Sequence, residues 1–307
     1  AKTVNVIKLP DSQAAAASTP AAQPEKVEPD EERLLIITPG ASVPYFDLDI
    51  LFIHAHPDDE SLDFGCLLAL AEKAGLKTGL LTFTDGNSGL DLYPDRPVTG
   101  IYPNHYMEGA ELAAIRAVEL ADAAEALGVD LLIRLGLHNN QYNSIKDERP
   151  PEDIIGMWGG EDRLIETMFS IIEKTRPEMI AAPDAPSEAR EHFEHEAVGY
   201  LVAEIMSRFE IDDYKAPKRY ITCIDPRQHH LYPDASTINA SLKPTDSDNR
   251  LSTLREVQIT ALQLHKTQND AVNAGTGFLP KYPAEYYQIQ YWHSNQNWDD
   301  WISALNN

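Results

Sequence analysis

From about residue 48 the chain alternates apolar runs of strand length with amphipathic segments of helix length, the pattern of a parallel sheet covered by helices. The spacing predicts strands at Leu48–His54, Lys77–Thr84, Leu131–Leu135, Met179–Ala182 and Tyr220–Ile224. Helices are expected near 60–74, 109–127, 161–175 and 194–209, with another at about 250–265. Ile50-Leu51-Phe52-Ile53 is apolar without alternation, as a strand buried on both faces requires.

The expected fold class is therefore α/β, a Rossmann-like three-layer domain with a mostly parallel sheet, over residues 46–270. Residues 1–45 read as an N-terminal extension, because Ala14 to Ala17 and the prolines Pro20, Pro24, Pro29 and Pro39 stand among acidic residues and bury little apolar surface. Val4-Asn5-Val6-Ile7 could add an edge strand there. Residues 271–307 read as a C-terminal aromatic-rich extension packed on the same domain. Its aromatics Tyr286, Tyr287, Tyr291, Trp292, Trp298 and Trp301 suit a sheet edge, a subunit contact in a homo-oligomer or an extended sugar site.

Composition removes several function classes. Forty-nine acidic against twenty-five basic residues give a formal charge of −24, which argues against nucleic acid as a partner. No apolar run approaches the roughly 18 residues of a membrane span. Cys66 and Cys223 are too few for a disulfide framework and read as buried thiols. Ala1-Lys2 opens no apolar signal core, so a cytoplasmic location is expected, with secretion as the alternative.

In open parallel sheets, ligands bind beyond the carboxyl ends of the strands. Those ends carry His54 to Glu60, Thr84 to Gly89, Gly136 to Asn140 and Pro183 to His195. Long loops over about 85–108 and 137–160 add Tyr93, Tyr102, Tyr106, Tyr142 and Trp158, which suit either stacking on sugar rings or pinning the loops down. His and Asp are apt ligands for a divalent ion such as Zn²⁺, and a catalytic site needs three of them with one position open. His56-Pro57-Asp58-Asp59 can supply two and still leave a carboxylate beside the open position. The third should come from another strand end, where His192 and His195 share one face of a first helical turn.

Ala55-His56-Pro57-Asp58-Asp59-Glu60 resembles the signature of the PIG-L and LmbE-like zinc-dependent de-N-acetylases. Thr84-Asp85-Gly86, Arg116-Ala117-Val118-Glu119, His192 to His195 and Leu264-His265-Lys266-Thr267-Gln268 resemble further elements of that family, so the likeness covers about 48–270. It implies His56, Asp59 and His195 as ligands of one Zn²⁺, Asp58 as general base and His192 as the group facing the oxyanion. It also implies Arg116 as a contact to sugar hydroxyls. The implied reaction is removal of the N-acetyl group from a small amino sugar or glycoconjugate of the N-acetylglucosamine type, by Asp-assisted attack of metal-activated water. Two departures stand out. Glu194 replaces the family's usual Asp, and Asn139 and Asn140 stand near where many members carry a substrate-facing Asp, which makes Asn140 a candidate substrate contact.

Two rival readings remain open at this level. With His54 included, His54-Ala55-His56-Pro57-Asp58-Asp59 is one residue short of the metallo-β-lactamase-like pattern. A catalytically inactive glycan-binding member of the same fold is the other. Gly86-Asn87-Ser88-Gly89 lacks the spacing of a nucleophile elbow, and no phosphate-cradling glycine loop is present.

Overall fold

The computed structural model describes residues 5–6, 34–88, 109–140, 149–183, 192–209, 216–243 and 252–306. Its strands are β1 (Asn5–Val6), β2 (Leu35–Ile37), β3 (Ile50–His54), β4 (Thr78–Thr84), β5 (Leu131–Leu137), β6 (Met179–Pro183), β7 (Arg219–Ile224), β8 (Ser236–Asn239) and β9 (Ala284–Trp292). The α-helices are α1 (Asp59–Lys73), α2 (Ala110–Ala126), α3 (Pro151–Met157), α4 (Glu161–Thr175), α5 (Phe193–Ser207), α6 (Leu254–Leu262), α7 (Asn269–Phe278) and α8 (Trp298–Leu305). No helix among them is long and apolar enough to cross a membrane.

The strands form one sheet in the order β1-β2-β5-β4-β3-β6-β7-β9-β8. It is parallel from β1 to β7, and β9 and β8 are antiparallel. Alternate residues of β3 feed the two sides: Ile50 and Phe52 enter a core with α1, α2, α6 and α8, while Leu51 and Ile53 enter one with α3, α4 and α5. All four are 1% exposed or less, and each contributes about 1.5–3 kcal/mol by leaving water. That two-sided burial is why the strand reads as an unbroken apolar run.

Sheet order also sets the crevice. The chain leaves β3 for β4 on one side, whereas β6 pairs on its other side, so the direction of winding reverses at β3. In open parallel sheets ligands bind at such a switch point, beyond the carboxyl ends of the strands.

Both ends of the chain are more deeply built in than their composition suggests. Leu34-Leu35-Ile36-Ile37, within the stretch read as an extension, supplies β2, which pairs in parallel with β5, and Leu34 is fully buried. The run is short, so the proline-rich surroundings masked it. At the other end β9 pairs with β7, Tyr287 is fully buried, and Trp298 and Trp301 join the core beside it. Trp158, read as a loop aromatic, is 3% exposed and packs against Phe83 at 5.7 Å, and α3 occupies part of the loop expected over 137–160. Tyr93, Tyr102, Tyr106 and Tyr142 lie outside the described residues.

Candidate metal centre

β3 carries His54, and the chain then turns through Pro57 and Asp58 into α1, whose first residue is Asp59. Asp58 makes that turn at φ 122°, a backbone region open to glycine and costing a side-chain-bearing residue about 1–3 kcal/mol. The turn swings the Asp59 carboxylate back towards His56, and the start of α5 brings His192 and His195 across the cleft from β6.

Three atoms converge. His56 Nδ1 lies 2.9 Å from His195 Nε2 and 3.3 Å from Asp59 Oδ2, and His195 Nε2 lies 3.2 Å from Asp59 Oδ2. Metal–ligand bonds of about 2.0–2.1 Å in a tetrahedron place neighbouring donors about 3.3 Å apart, so this set fits a zinc-like ion. Protonation supports the same orientation. His56 Nε2 donates to Glu194 Oε2 at 2.5 Å, which puts the proton on Nε2 and leaves the Nδ1 lone pair facing the cluster. Burial opposes charge on both partners, yet the His195 and His56 rings hold the Asp59 carboxyl well below its usual range.

Glu194 is the hub of a second layer. It is fully buried; Oε2 also accepts from Asn139 Nδ2 at 2.7 Å, and Oε1 accepts from Asn140 N at 2.7 Å and Asn140 Nδ2 at 2.9 Å. Asn140, expected as a substrate contact, is half-buried and directs its amide at Glu194. Composition alone hides this: two carboxamides after a strand do not reveal which carboxylate they will meet.

His192 caps α5, its Nδ1 accepting from Glu194 N at 3.3 Å, which leaves Nε2 as the donor. Its ring stacks on His195 at 4.8 Å and stands 4.5 Å from that of His56. Unlike the other two it is only half-buried.

Asp58 sits beside the cluster, 7% exposed. Burial pushes its carboxyl up to about 6, against the pull of the Arg116 guanidinium 3.6 Å away. A carboxyl so placed can exchange a proton near neutrality. Arg116, expected as a contact to sugar hydroxyls, is 2% exposed and donates to Pro57 O at 2.6 Å and Ser88 O at 2.9 Å behind Asp58. Gly86, at φ 70°, permits that approach: a Cβ there would lie 2.8 Å from Arg116 Nε.

His54 is fully buried, with Nδ1 on His56 O at 2.8 Å and Nε2 on Thr82 Oγ1 at 3.0 Å. Both nitrogens are committed, which counts against the metallo-β-lactamase-like reading. Glu60 is fully buried and turns away from the cluster. Its Oε2 accepts from Asp58 N at 2.9 Å, and its Oε1 from Ser61 Oγ and His265 Nε2, each at 2.7 Å. His138 is exposed at the end of β5, where its Nδ1 accepts from Asn87 Nδ2 at 2.7 Å. His105 lies outside the described residues, while His229 and His293 stack on Tyr286 and Tyr291.

Fold and site together define an α/β enzyme whose histidines and carboxylates, gathered at the switch point of its sheet, fit a divalent ion. Residues 51–206 match the PIG-L family of GlcNAc-PI de-N-acetylases, and the chain belongs to that family. It is 25% identical over 237 residues to a 1D-myo-inositol 2-acetamido-2-deoxy-alpha-D-glucopyranoside deacetylase of Saccharomonospora viridis, a match covering 71% of this chain and 84% of that one. Identity to the deacetylase of the same description from Corynebacterium urealyticum is 32% over 169 residues, covering 50% of this chain and 48% of the relative. Among solved structures, the N,N'-diacetylchitobiose deacetylase of Pyrococcus horikoshii superposes with TM-score 0.56 at 18% identity, covering 80% of this chain and 85% of that one. GalB of Pseudomonas putida KT2440, a 4-carboxy-2-hydroxymuconate hydratase, superposes with TM-score 0.51 at 16% identity, covering 81% and 98%. These two likenesses establish the fold alone, and their differing activities show why function must be argued from the site.

Proposed function

We propose that the protein is a zinc-dependent de-N-acetylase that hydrolyses the N-acetyl group of an N-acetylglucosamine-type conjugate to acetate and a free amine. The observation that carries this reading is the donor triangle of His56, Asp59 and His195 with a buried, proton-exchanging Asp58 beside it. Those three residues would hold the ion. A divalent ion so held supplies Lewis acidity, which polarises an amide carbonyl and acidifies water.

Asp58 takes the proton of the attacking water and delivers it to the leaving nitrogen, so one carboxyl serves as base and then as acid. His192, with Nδ1 occupied at the helix start, directs Nε2–H at the developing oxyanion, a contribution of about 3 kcal/mol when preorganised. Arg116 holds Asp58 in place, and Glu194 fixes the His56 tautomer. The sugar specificity of the named relatives supports an amino-sugar substrate.

Acetate and primary amine should appear in equal amounts from N-acetylglucosaminyl conjugates incubated with the zinc-loaded protein. Asp58→Asn should lower kcat by about 10²–10⁴-fold with zinc still bound. Activity insensitive to that change would remove Asp58 from the chemistry, and absence of amine release at full zinc loading would count against the proposed reaction.

A further inference from the structure

Asp58 is held from two sides by buried groups that form a closed ring. On one side Arg116 of α2 reaches Pro57 O and the Asp58 carboxylate. On the other, Asp58 N donates to Glu60 Oε2, whose second oxygen accepts from His265 Nε2 at 2.7 Å. The segment bearing His265 returns to α2: Thr267 N and Thr267 Oγ1 donate to the two oxygens of Glu119, at 2.9 and 2.6 Å. Arg116 and Glu119 lie one helical turn apart, so a single helix face closes the ring.

What the ring encloses is the strained peptide at φ 122°. Strain of this kind persists only where the surroundings over-determine it, and it gathers at functional sites. His265 and Glu60 are both fully exempt from solvent, and among the described residues His265 Nδ1 has no hydrogen-bond partner. Glu60 is therefore the polar group the ring serves. Burial pulls the imidazole towards neutrality, but the Glu60 charge outweighs it and raises the His265 pKa, and Nε2–H donates to the Glu60 carboxylate at 2.7 Å.

We infer that His265 is a positioning residue: through Glu60 it holds the Asp58 backbone in its strained turn and so aims the Asp58 carboxylate at the metal cluster. Neither His265 nor Glu60 touches the reacting atoms. The inference rests on the reading of Asp58 as general base. Its structural half can be measured without any substrate.

Crystal structures and steady-state kinetics of the zinc-loaded wild type, His265→Ala and His265→Gln provide the test. In His265→Ala the Asp58 φ should relax to negative values and kcat should fall about 10–100-fold, with KM and zinc content unchanged. His265→Gln, whose amide can still donate to Glu60, should retain the positive φ and most of kcat. A positive Asp58 φ in His265→Ala, or an undiminished kcat at full zinc loading, would overturn the inference. His265→Asn, polar but too short to reach Glu60, takes the place of His265→Ala if the latter does not accumulate folded. A wild type that releases no acetate from any N-acetyl sugar counts against the proposed function, and the Asp58 φ then decides the positioning role by itself.

Discussion

Glu194 shows how one methylene is accommodated at a metal site. An Asp at this position would have to sit closer to His56, whereas the longer Glu spans His56 on one side and Asn139 and Asn140 on the other. Glu194→Asp should therefore break one of those two sets, and zinc affinity should fall about 10–100-fold, as measured by competition against a chromogenic chelator. Asn140→Ala acts on the same network, so its loss should be largely absorbed in the Glu194→Asp, Asn140→Ala double variant rather than added to it. Full additivity in that cycle would show that the two residues serve separate ends.

Helix α1 is the element that ties the site to the rest of the fold. Its first turn carries Asp59 and Glu60, and its middle is gripped by side chains from distant elements. Glu285 of β9 accepts from Cys66 N and Leu67 N, each at 2.9 Å, and from Tyr287 Oη, while Gln258 of α6 donates to Ser61 O at 2.8 Å. Such closeness requires a missing side chain. Gly65 faces Gln258, and a Cβ there would lie 2.4 Å from Gln258 Cγ. In an isolated helix Gly→Ala gains about 1 kcal/mol, but here overpacking at about 1–3 kcal/mol should win. Gly65→Ala should lower the urea midpoint; a higher midpoint would mean that α6 can yield without loss.

At the scale of the whole molecule, two electrostatic features set the response to conditions. A formal charge of −24 makes the folded chain repel itself, so raising ionic strength from low values to about 0.15 M should raise Tm, with the largest gain below the concentration at which the Debye length reaches about 8 Å. Superimposed on that, a zinc ion held as proposed would give the buried Asp59 carboxylate a counter-charge. Removal of zinc by chelation should abolish acetate release and lower stability by about 3 kcal/mol relative to zinc at a hundredfold its Kd, and zinc, not magnesium, should restore both. Fold class and the candidate donor motif are legible in the chain because they depend on local patterns: unbroken apolar runs mark strands covered on both faces, and His56-Pro57-Asp58-Asp59 follows directly on one of them. The switch point that makes those ligands meet His195 follows from strand order, which reverses at β3. β2 is hidden in the sequence because four apolar residues in a proline-rich stretch look like a loop until β5 supplies their hydrogen bonds. The resemblance suggests Arg116 as a sugar contact and the position after β5 suggests Asn140, but in the fold Arg116 is buried against Pro57 and Asp58, and half-buried Asn140 directs its amide at Glu194. Sequence by itself determined the donors, since chemical type and local spacing are properties of the chain. Only the tertiary structure decided what holds them, because Glu194, Arg116 and His265 act through partners far away in sequence, and those contacts exist only after the sheet and helices have packed.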